Sequence, residues 1–584
     1  MNTLIINLTR MGDLLQTSPL LKGLKEQDPE GRLDLMVVED FRAVAGGFDM
    51  VDEILTLDLN GLIPQFDQPD KTVVDLHHRL KEWIESVRRR SYDRLINLSH
   101  TRISAALARL LDVPDTRGVT LSKDGYILIR HPWSNYFFNV TLSRTYNPIN
   151  LVDMYLGVGD ITNPPQKLYF RVEAEARSFA DDFFREHGSH ARRPLYGIQP
   201  GAMQENRRWQ PDRWAELCDR IWDQLGGVAI VFGALSDSDI GRRIEQQVKN
   251  PLINAIGRTT IPQLAALLTR CQTLITNDTG TMHLAAAVET PIVAIFLAAA
   301  RADDTAPYGR GHMILEANIE CAPCNYDTVC PNPVCHEMVT PDIVLATIRD
   351  HPVKHGGIPP DFPDEEDLTR IRISMTDFDP WGMSILHPCI KRPLSRKQIL
   401  STAYRYLWRT ELQGNHYNHY ELSLRTKCGN LLPSSYHLLL RDVIKDWEVS
   451  ETSISFQDDC DSLDKLEELA TLGLQRAETL AHAASQTHPD RQLLQNITAH
   501  LAVIDKDIYA WELTHPDLAP LAIHFRIDKG NIDNDDLKSL AYKAQTLYGD
   551  LKRRAERFQT LLRRSEQFLA HKRQSPIGKV MEIL

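Results

Sequence analysis

Short apolar runs alternate with helical patterns twice along residues 1–350, and this alternation constrains the fold more than any other feature of the chain. The first series includes the runs at residues 3–8, 33–39, 53–57 and 93–99, and the second begins near Pro194 with runs at residues 195–201, 227–233, 273–278 and 290–296. Strands that alternate with helices indicate parallel sheets covered on both faces. We therefore expect an α/β fold of two facing, doubly wound Rossmann-like domains.

The remainder of the 584-residue chain has a different composition. Residues 351–367 are rich in proline, glycine and acidic residues, which is typical of a linker, and two apolar runs at residues 369–375 and 381–386 are suited to a hairpin. Helical periodicity then predicts helices over residues 396–412, 462–485, 491–513 and 534–572. The expected domains are 1–170 (α/β), 171–350 (α/β, with a cysteine-rich loop at 321–335), 351–392 (linker and hairpin) and 393–584 (helical).

A nearly apolar stretch at residues 274–300 is the best candidate for a membrane segment, but Glu289, Thr290 and Pro291 interrupt it. Because proline breaks a spanning helix, we expect a short helix, a turn and a buried strand instead. Residues 1–15 have no basic leader or small-residue cleavage site, so we expect no signal peptide and a cytoplasmic protein. The net charge of −12 provides no basic surface for nucleic acid, so an anionic ligand must be held locally.

The heptad NDTGTMH (277–283) lies between a predicted strand and a predicted helix. Asp278 or Thr279 is suited to cap that helix, and Gly280 would let a ligand approach the backbone. The helix amides and dipole then favour an anion such as phosphate. An ordinary strand-to-helix turn with a capping side chain is the alternative.

Two further loops follow strands of the second series. PGAMQENRRWQPDRW (200–214) carries Arg207 and Arg208 just before a helix, and FGALSDSD (232–239) carries carboxylates that suit ribose hydroxyls. Two arginines in such a loop are also common as a solvated pair. Three loops at the carboxyl edge of one sheet together indicate a site for a nucleoside diphosphate.

In the first series, TRMGDLLQTSP (9–19) puts Gly12 and Asp13 at the end of the first strand. Asp13 is a candidate general base, although it would also serve simply as a cap of the following helix.

The chain resembles glycosyltransferase family 9, the ADP-heptose heptosyltransferases that build the inner core of lipopolysaccharide, in three features that follow one another along the sequence. These are Gly12–Asp13 after the first strand, PGA…RRW (200–209) at the start of the second series and NDTGTMHLAAA (277–287) near its end. The resemblance covers about residues 1–350 and implies the two-domain glycosyltransferase B fold. It implies that the N-terminal domain binds the acceptor and the second α/β domain binds the nucleotide-sugar. The segment FLAAARADD (296–304) differs from the apolar-Gly-Pro-Thr pattern usual in the family, so the resemblance does not specify the sugar.

The resemblance also implies roles for individual residues. Asp13 matches the catalytic base, with Gly12 and Arg10 on the acceptor side, and Arg207 stands where the family usually has a phosphate-binding lysine. The residues expected on the phosphate side are Asp278, Thr279, Gly280, Thr281 and His283. Those expected near the nucleoside are Asp237, Gly257 and Arg258.

The implied reaction is an inverting transfer of heptose, or a related sugar, from an ADP-sugar to a hydroxyl of lipopolysaccharide core or another cell-surface glycan. Asp13 would take the proton of the acceptor hydroxyl, and Arg207 with the helix amides would stabilise the departing ADP without a divalent metal. The expected partners are the ADP-sugar and a saccharide or protein acceptor. Contact with the inner face of the inner membrane and self-association through the helical domain are further expectations.

Four of the nine cysteines, Cys321, Cys324, Cys330 and Cys335, have the spacing C-x2-C-x5-C-x4-C. Four thiolates would suit a closed, structural zinc or iron site, and a loop of reduced thiols or a labile disulfide is the alternative. The resemblance leaves both possibilities open, because the autotransporter heptosyltransferases use cysteines to hold iron while some related heptosyltransferases carry similar cysteine loops without metal.

Three other functions fit parts of the pattern. A protein O-heptosyltransferase would use the helical domain to dock its acceptor, and a non-catalytic scaffold would keep only the fold. A two-domain nucleotide-sugar epimerase would need carboxylates and histidines at the domain interface, and the sequence does not identify such residues.

Overall fold

The computed structural model describes residues 1–58, 73–188, 192–325, 328–349, 368–390, 392–412, 435–444, 454–488, 490–533 and 536–574. The chain divides into two compact units, one of Met1–Tyr92 with Ile149–Lys391 and one of Asp93–Pro148 with Arg392–Leu584. The described strands form two mixed sheets, of six and eight strands. The predicted α/β fold class with a helical C-terminal region is therefore confirmed, while the division into four domains stays a prediction.

The strands are β1 (Thr3–Ile6), β2 (Leu33–Val38), β3 (Glu53–Leu57), β4 (Arg94–Asn97), β5 (Asp115–Leu121), β6 (Ile127–Arg130), β7 (Leu195–Gln199), β8 (Val228–Val231), β9 (Ile253–Asn254), β10 (Cys271–Asn277), β11 (Ile292–Phe296), β12 (Met313–Ala317), β13 (Ile371–Phe378) and β14 (Ser384–Pro388). The helices of the α/β part are α1 (Met11–Gln16), α2 (Ser18–Gln27), α3 (Arg42–Ala45), α4 (Val73–Arg88), α5 (Arg102–Leu111), α6 (Pro132–Leu142), α7 (Leu151–Val158), α8 (Ala174–Glu186), α9 (Pro211–Leu225), α10 (Ser238–Glu245), α11 (Ile261–Leu268), α12 (Gly280–Ala287), α13 (Ala302–Thr305), α14 (Cys335–Met338) and α15 (Pro341–Arg349). The C-terminal helices are α16 (Arg396–Leu412), α17 (Ser435–Ile444), α18 (Gln457–Ala484), α19 (Arg491–Thr514), α20 (Ala519–Gly530) and α21 (Leu537–Gln574).

The first unit contains the eight-stranded sheet, whose order is β14-β13-β12-β11-β10-β7-β8-β9. Strands β7 to β12 run parallel, and their side chains are buried on both faces, as the continuous apolar runs predict. In the same unit β1, β2 and β3 pair in parallel in the order β3-β2-β1. Parallel strands bring their carboxyl ends to one edge, which is where loops bind ligands in such sheets.

The apolar stretch at residues 274–300 forms the end of β10, helix α12 and strand β11, and all three are buried. This matches the predicted helix, turn and strand, and the stretch contributes to the core of the sheet. Within the described ranges, no helix combines the length and the apolar character needed to cross a bilayer.

The predicted hairpin after the linker is confirmed as β13 and β14, which extend the sheet antiparallel to β12. The carboxylate of Asp153 on α7 holds it in place, because it accepts hydrogen bonds from the Tyr308 hydroxyl and the Ser384 amide, both at 2.9 Å. The linker at residues 351–367 lies outside the described residues.

The second unit combines β4, β5, β6, α5 and α6 with the C-terminal helices. Buried positions on α18 (Leu463, Leu466, Ala470, Gly473, Ala477 and Leu480) recur at alternating intervals of three and four, as in a coiled coil. Small residues let α18 approach α21 closely: a Cβ atom on Gly473 would lie 2.3 Å from the Tyr548 ring. The predicted helix at residues 396–412 matches α16, and the three other predicted helices correspond to α18, α19 and α21.

Helix α6 packs against α20 within this unit. Asn139 donates to the carbonyl of Pro520 at 3.1 Å, and Asn135 donates to Asp528 at 2.8 Å. The C-terminal helices therefore pack against residues 93–148 within one compact unit.

Candidate functional site

Asp13 lies in the first turn of α1, three residues after the N-cap residue Arg10. Its carboxylate accepts a hydrogen bond from the Arg10 amide, which is one of the two hydrogen bonds of a capping box, and it also lies beside the Thr9 hydroxyl. Burial raises the pKa of the Asp13 carboxyl, and the nearby Arg10 guanidinium partly opposes the shift. Asp13 is therefore the third residue of the helix rather than its N-cap, and the increased basicity of its carboxylate suits a general base.

The turn that carries Asp13 lies directly against the first turn of α12. A Cβ atom on Gly12 would lie 3.1 Å from Cδ2 of His283 and 3.5 Å from Cα of Gly280. One on Gly280 would lie 3.3 Å from the Met11 side chain and 3.4 Å from the Gly12 nitrogen. The two glycines therefore permit a close backbone approach, and the structure brings together two turns that are separated by more than 260 positions in the sequence.

The start of α12 differs in detail from the sequence expectation. Thr279 occupies the N-cap position, but its side chain makes no capping hydrogen bond, and its hydroxyl lies 3.2 Å from that of Thr276. The side-chain cap expected from Thr279 is therefore absent. Thr281, the second residue of the helix, is half-buried. Uncapped amides at a helix N-terminus suit an anionic ligand.

His283 is buried beneath this turn, and burial lowers the pKa of its imidazole to about 4. The ring is consequently neutral near pH 7. Its Nδ1 atom has no hydrogen-bond partner among the described residues.

Arg207 closes a short 3-10 turn, Glu205–Arg207, in the loop between β7 and α9. Its guanidinium donates to the Asp278 carboxylate at 3.1 Å, and the two side chains are only 15% and 12% exposed. The structure therefore brings the predicted phosphate-binding arginine to the start of α12. Asp278 itself orients the arginine, since an ionised carboxylate accepts hydrogen bonds but cannot donate them to a phosphate.

The loop at residues 232–239 lies next to the loop that carries Arg207. Asp237 accepts a hydrogen bond from the Ala234 amide at 3.0 Å, and a Cβ atom on Gly201 would lie 2.7 Å from its carboxylate oxygens. Gly257 has φ +68°, a conformation that favours glycine, and it packs against Leu235. Asp237 therefore lies against the loop that carries Arg207, and Gly257 lies against Leu235 on the Asp237 loop.

The Arg258 side chain contacts helix α8. Its guanidinium lies 5.1 Å from the centroid of the Phe183 ring and 3.8 Å from the Glu186 carboxylate, both on α8. The nucleoside role expected for Arg258 stays a prediction.

The four clustered cysteines are free thiols, with Cys321 and Cys330 exposed and Cys324 and Cys335 half-buried. Burial raises the pKa of Cys324 and of Cys335, and the neighbouring thiols add to the effect. In the part of the chain that the structure describes, no three histidine, cysteine or acidic side chains are grouped to hold a metal ion. The zinc or iron site expected from the cysteine spacing thus has no support among the described residues.

The sequence interpretation missed two residues. Asn277, the last residue of β10, is fully buried and bonds to both ends of the Arg207 loop. Tyr155 on α7 is buried near Asp13, and burial together with the Asp13 charge raises the pKa of the Tyr155 hydroxyl. An asparagine that ends an apolar strand is a usable signal, whereas nothing in the sequence marks Tyr155.

Known proteins are similar to this chain over about half of its length. The sequence model of glycosyltransferase family 9 (heptosyltransferase) matches residues 80–334. The chain is 26% identical over 303 residues to lipooligosaccharide heptosyltransferase 2 of Haemophilus influenzae, which covers 51% of this chain and 83% of that enzyme. It is 24% identical over 319 residues to lipopolysaccharide heptosyltransferase 2 of Escherichia coli K12, with 51% and 82% covered.

Among solved structures, the Escherichia coli ADP-heptose lipopolysaccharide heptosyltransferase II aligns with 20% identity and a TM-score of 0.44, over 61% of this chain and 100% of that one. The family match and the curated relatives agree with the resemblance noted from the three motifs. Over residues 80–334 the chain is similar to glycosyltransferase family 9, the heptosyltransferase family, and it is a glycosyltransferase.

Proposed function

We propose that the protein transfers heptose, or a closely related sugar, from an ADP-sugar to a hydroxyl of lipopolysaccharide core or another cell-surface saccharide, with inversion at the anomeric carbon. One observation carries the proposal: the Gly12–Asp13 turn lies against the first turn of α12, beside the Arg207–Asp278 pair. A base and a diphosphate site must be neighbours if a hydroxyl is to attack the carbon that bears the diphosphate.

In the proposed reaction the Asp13 carboxylate takes the proton of the acceptor hydroxyl. The acceptor oxygen forms a bond to the anomeric carbon as the bond to the β-phosphate oxygen breaks, and ADP leaves with that electron pair. Arg207 and the first amides of α12 stabilise the charge that develops on the diphosphate. Neutral His283 stays beneath the turn and supports it, and no step requires a metal.

The acceptor is proposed from the relatives, which are named for lipopolysaccharide and lipooligosaccharide. Transfer to a protein side chain, which would use the C-terminal helices for docking, has no observation in its favour. A purely structural role is also disfavoured, because a decayed site has no reason to keep Asp13, Arg207 and His283.

The test is a transfer assay with ADP-heptose and truncated lipopolysaccharide acceptors, read by mass spectrometry, with the anomeric configuration determined by NMR. We expect one added heptose of inverted configuration, and no product with Asp13→Asn. Retention of configuration, or full activity of that variant, would contradict the proposal.

A further inference from the structure

The loop that carries Arg207 has little regular structure of its own. It spans residues 200–210, between β7 and α9, and its internal backbone bonds are those of the 3-10 turn, from Arg207 to Gln204 at 3.1 Å and from Arg208 to Glu205 at 3.0 Å. A loop with so few internal backbone bonds needs further contacts if its arginine is to occupy one position.

Asn277 supplies that support from the neighbouring strand. Its side-chain amide donates to the carbonyls of Pro200 and Gly201 at 2.8 and 3.2 Å, and its side-chain oxygen accepts from the Trp209 amide at 3.2 Å. One side chain thereby binds both ends of the loop. It is completely buried, so water does not compete for these hydrogen bonds.

The strand register explains why position 277 can do this. Strands β10 and β7 are parallel neighbours with Thr276 opposite Gln199, so Asn277 lies beside the first loop residue, Pro200. The next residue, Asp278, pairs with Arg207. Two consecutive residues thus hold the loop, one at its ends and one at its functional side chain.

We propose that Asn277 is a positioning residue for Arg207, which holds the guanidinium beside α12 before the nucleotide-sugar binds. The inference rests on the proposed function, in which Arg207 binds the diphosphate. A charged group that is already in position needs no rearrangement when a ligand arrives. Loss of Asn277 should therefore weaken diphosphate binding only because Arg207 is no longer held in place.

A double-mutant cycle distinguishes this role from a merely structural one. ADP affinity is measured by calorimetry for the wild type, Arg207→Ala, Asn277→Ala and the double variant, and thermal unfolding is recorded without ADP. We expect each single variant to bind ADP about tenfold or more weakly, and the double variant to bind no more weakly than Arg207→Ala. Independent effects that multiply in the double variant would overturn the inference.

Asn97 provides a matched control, because it also ends a strand, β4, and its side chain also bonds to backbone groups, at Val119 (2.8 Å) and Ser99 (3.0 Å). Asn97→Ala should lower the unfolding temperature without changing ADP affinity; an equal loss of affinity would overturn the inference. If Asn277→Ala does not fold, Asn277→Ser enters the same cycle under the same criterion. Wild-type affinity in Arg207→Ala would contradict the proposed function, whereas wild-type affinity in Asn277→Ala alone would contradict only the inference.

Discussion

The ring of His283 lies against Gly12, with its Cδ2 atom 3.1 Å from the position that a Cβ atom on Gly12 would occupy. A contact this short leaves no room for a methyl group unless the ring or the α1 turn moves by a few tenths of an ångström. This relationship sets the separation between the proposed base and the proposed diphosphate site.

We predict that Gly12→Ala lowers the rate of transfer about tenfold or more, because the displaced turn moves Asp13 out of position. Gly530→Ala is the control: it also adds a methyl group within helical structure, but nothing lies within 4 Å of that position. Transfer rates are compared at saturating donor. A Gly12→Ala variant as active as Gly530→Ala would show that the contact has no influence on the reaction.

Replacement of Asp13 should separate catalysis from stability. Burial raises the pKa of this carboxyl in the folded chain, so the ionised form reduces the free energy of unfolding at pH values above that raised pKa. We predict that Asp13→Asn loses at least about 10²-fold in rate yet unfolds at the same or a higher temperature at pH 7. A marked fall in the unfolding temperature would show instead that capping is the main role of Asp13.

The pH dependence of transfer should reflect Arg10. Its guanidinium lowers the pKa of Asp13 against the larger effect of burial, so its removal should raise that pKa further. We predict that Arg10→Ala moves the acidic limb of the kcat/KM profile to higher pH by about half a unit or more, while Lys22→Ala, a control on α2, leaves it in place. An unmoved limb, or a move to lower pH, would argue against Asp13 as the titrating base.

The same profile should show no transition of His283 near neutral pH. Because burial lowers the pKa of this imidazole to about 4, its ionisation lies well below neutral pH.

The close packing of α18 on α21 provides a test of the helical region. A methyl group on Gly473 would lie 2.3 Å from the Tyr548 ring, whereas one on Gly549 would meet only Leu474, at 4.0 Å. We predict that Gly473→Ala lowers the free energy of unfolding by about 1–3 kcal/mol. Gly549→Ala should raise it by about 0.5–1 kcal/mol, as expected for alanine within a helix. Thermal unfolding is measured by circular dichroism. Equal unfolding temperatures for the two variants would contradict this packing.

Much of the architecture was predictable from local patterns. The continuous apolar runs of β7, β8, β10 and β11 are typical of parallel strands, and Pro291 correctly predicted that residues 274–300 divide into a helix and a strand. The heptad spacing on α18 was also present in the sequence, but three- and four-residue spacing alone does not reveal which helix is the partner.

The placement of candidate residues was predictable where a motif lies at a strand end, as for Asp13 and Asp278. The Arg207–Asp278 ion pair was not, because it depends on the positions of two loops 71 residues apart. The motif NDTGTMH contains Asn277 but does not reveal its role, since its hydrogen bonds depend on the register between β10 and β7. The cysteine spacing suggested a metal, but spacing does not specify the geometry that ligands need.

The most direct test of the shared site is a crystal structure of the protein with ADP. We predict that the β-phosphate lies within hydrogen-bonding distance of the Arg207 guanidinium and the first amides of α12, with the Asp13 carboxylate facing it across the space for the sugar. Phosphates bound away from α12, or a β-phosphate that the Asp13 carboxylate does not face, would contradict the proposal that these two turns form one site.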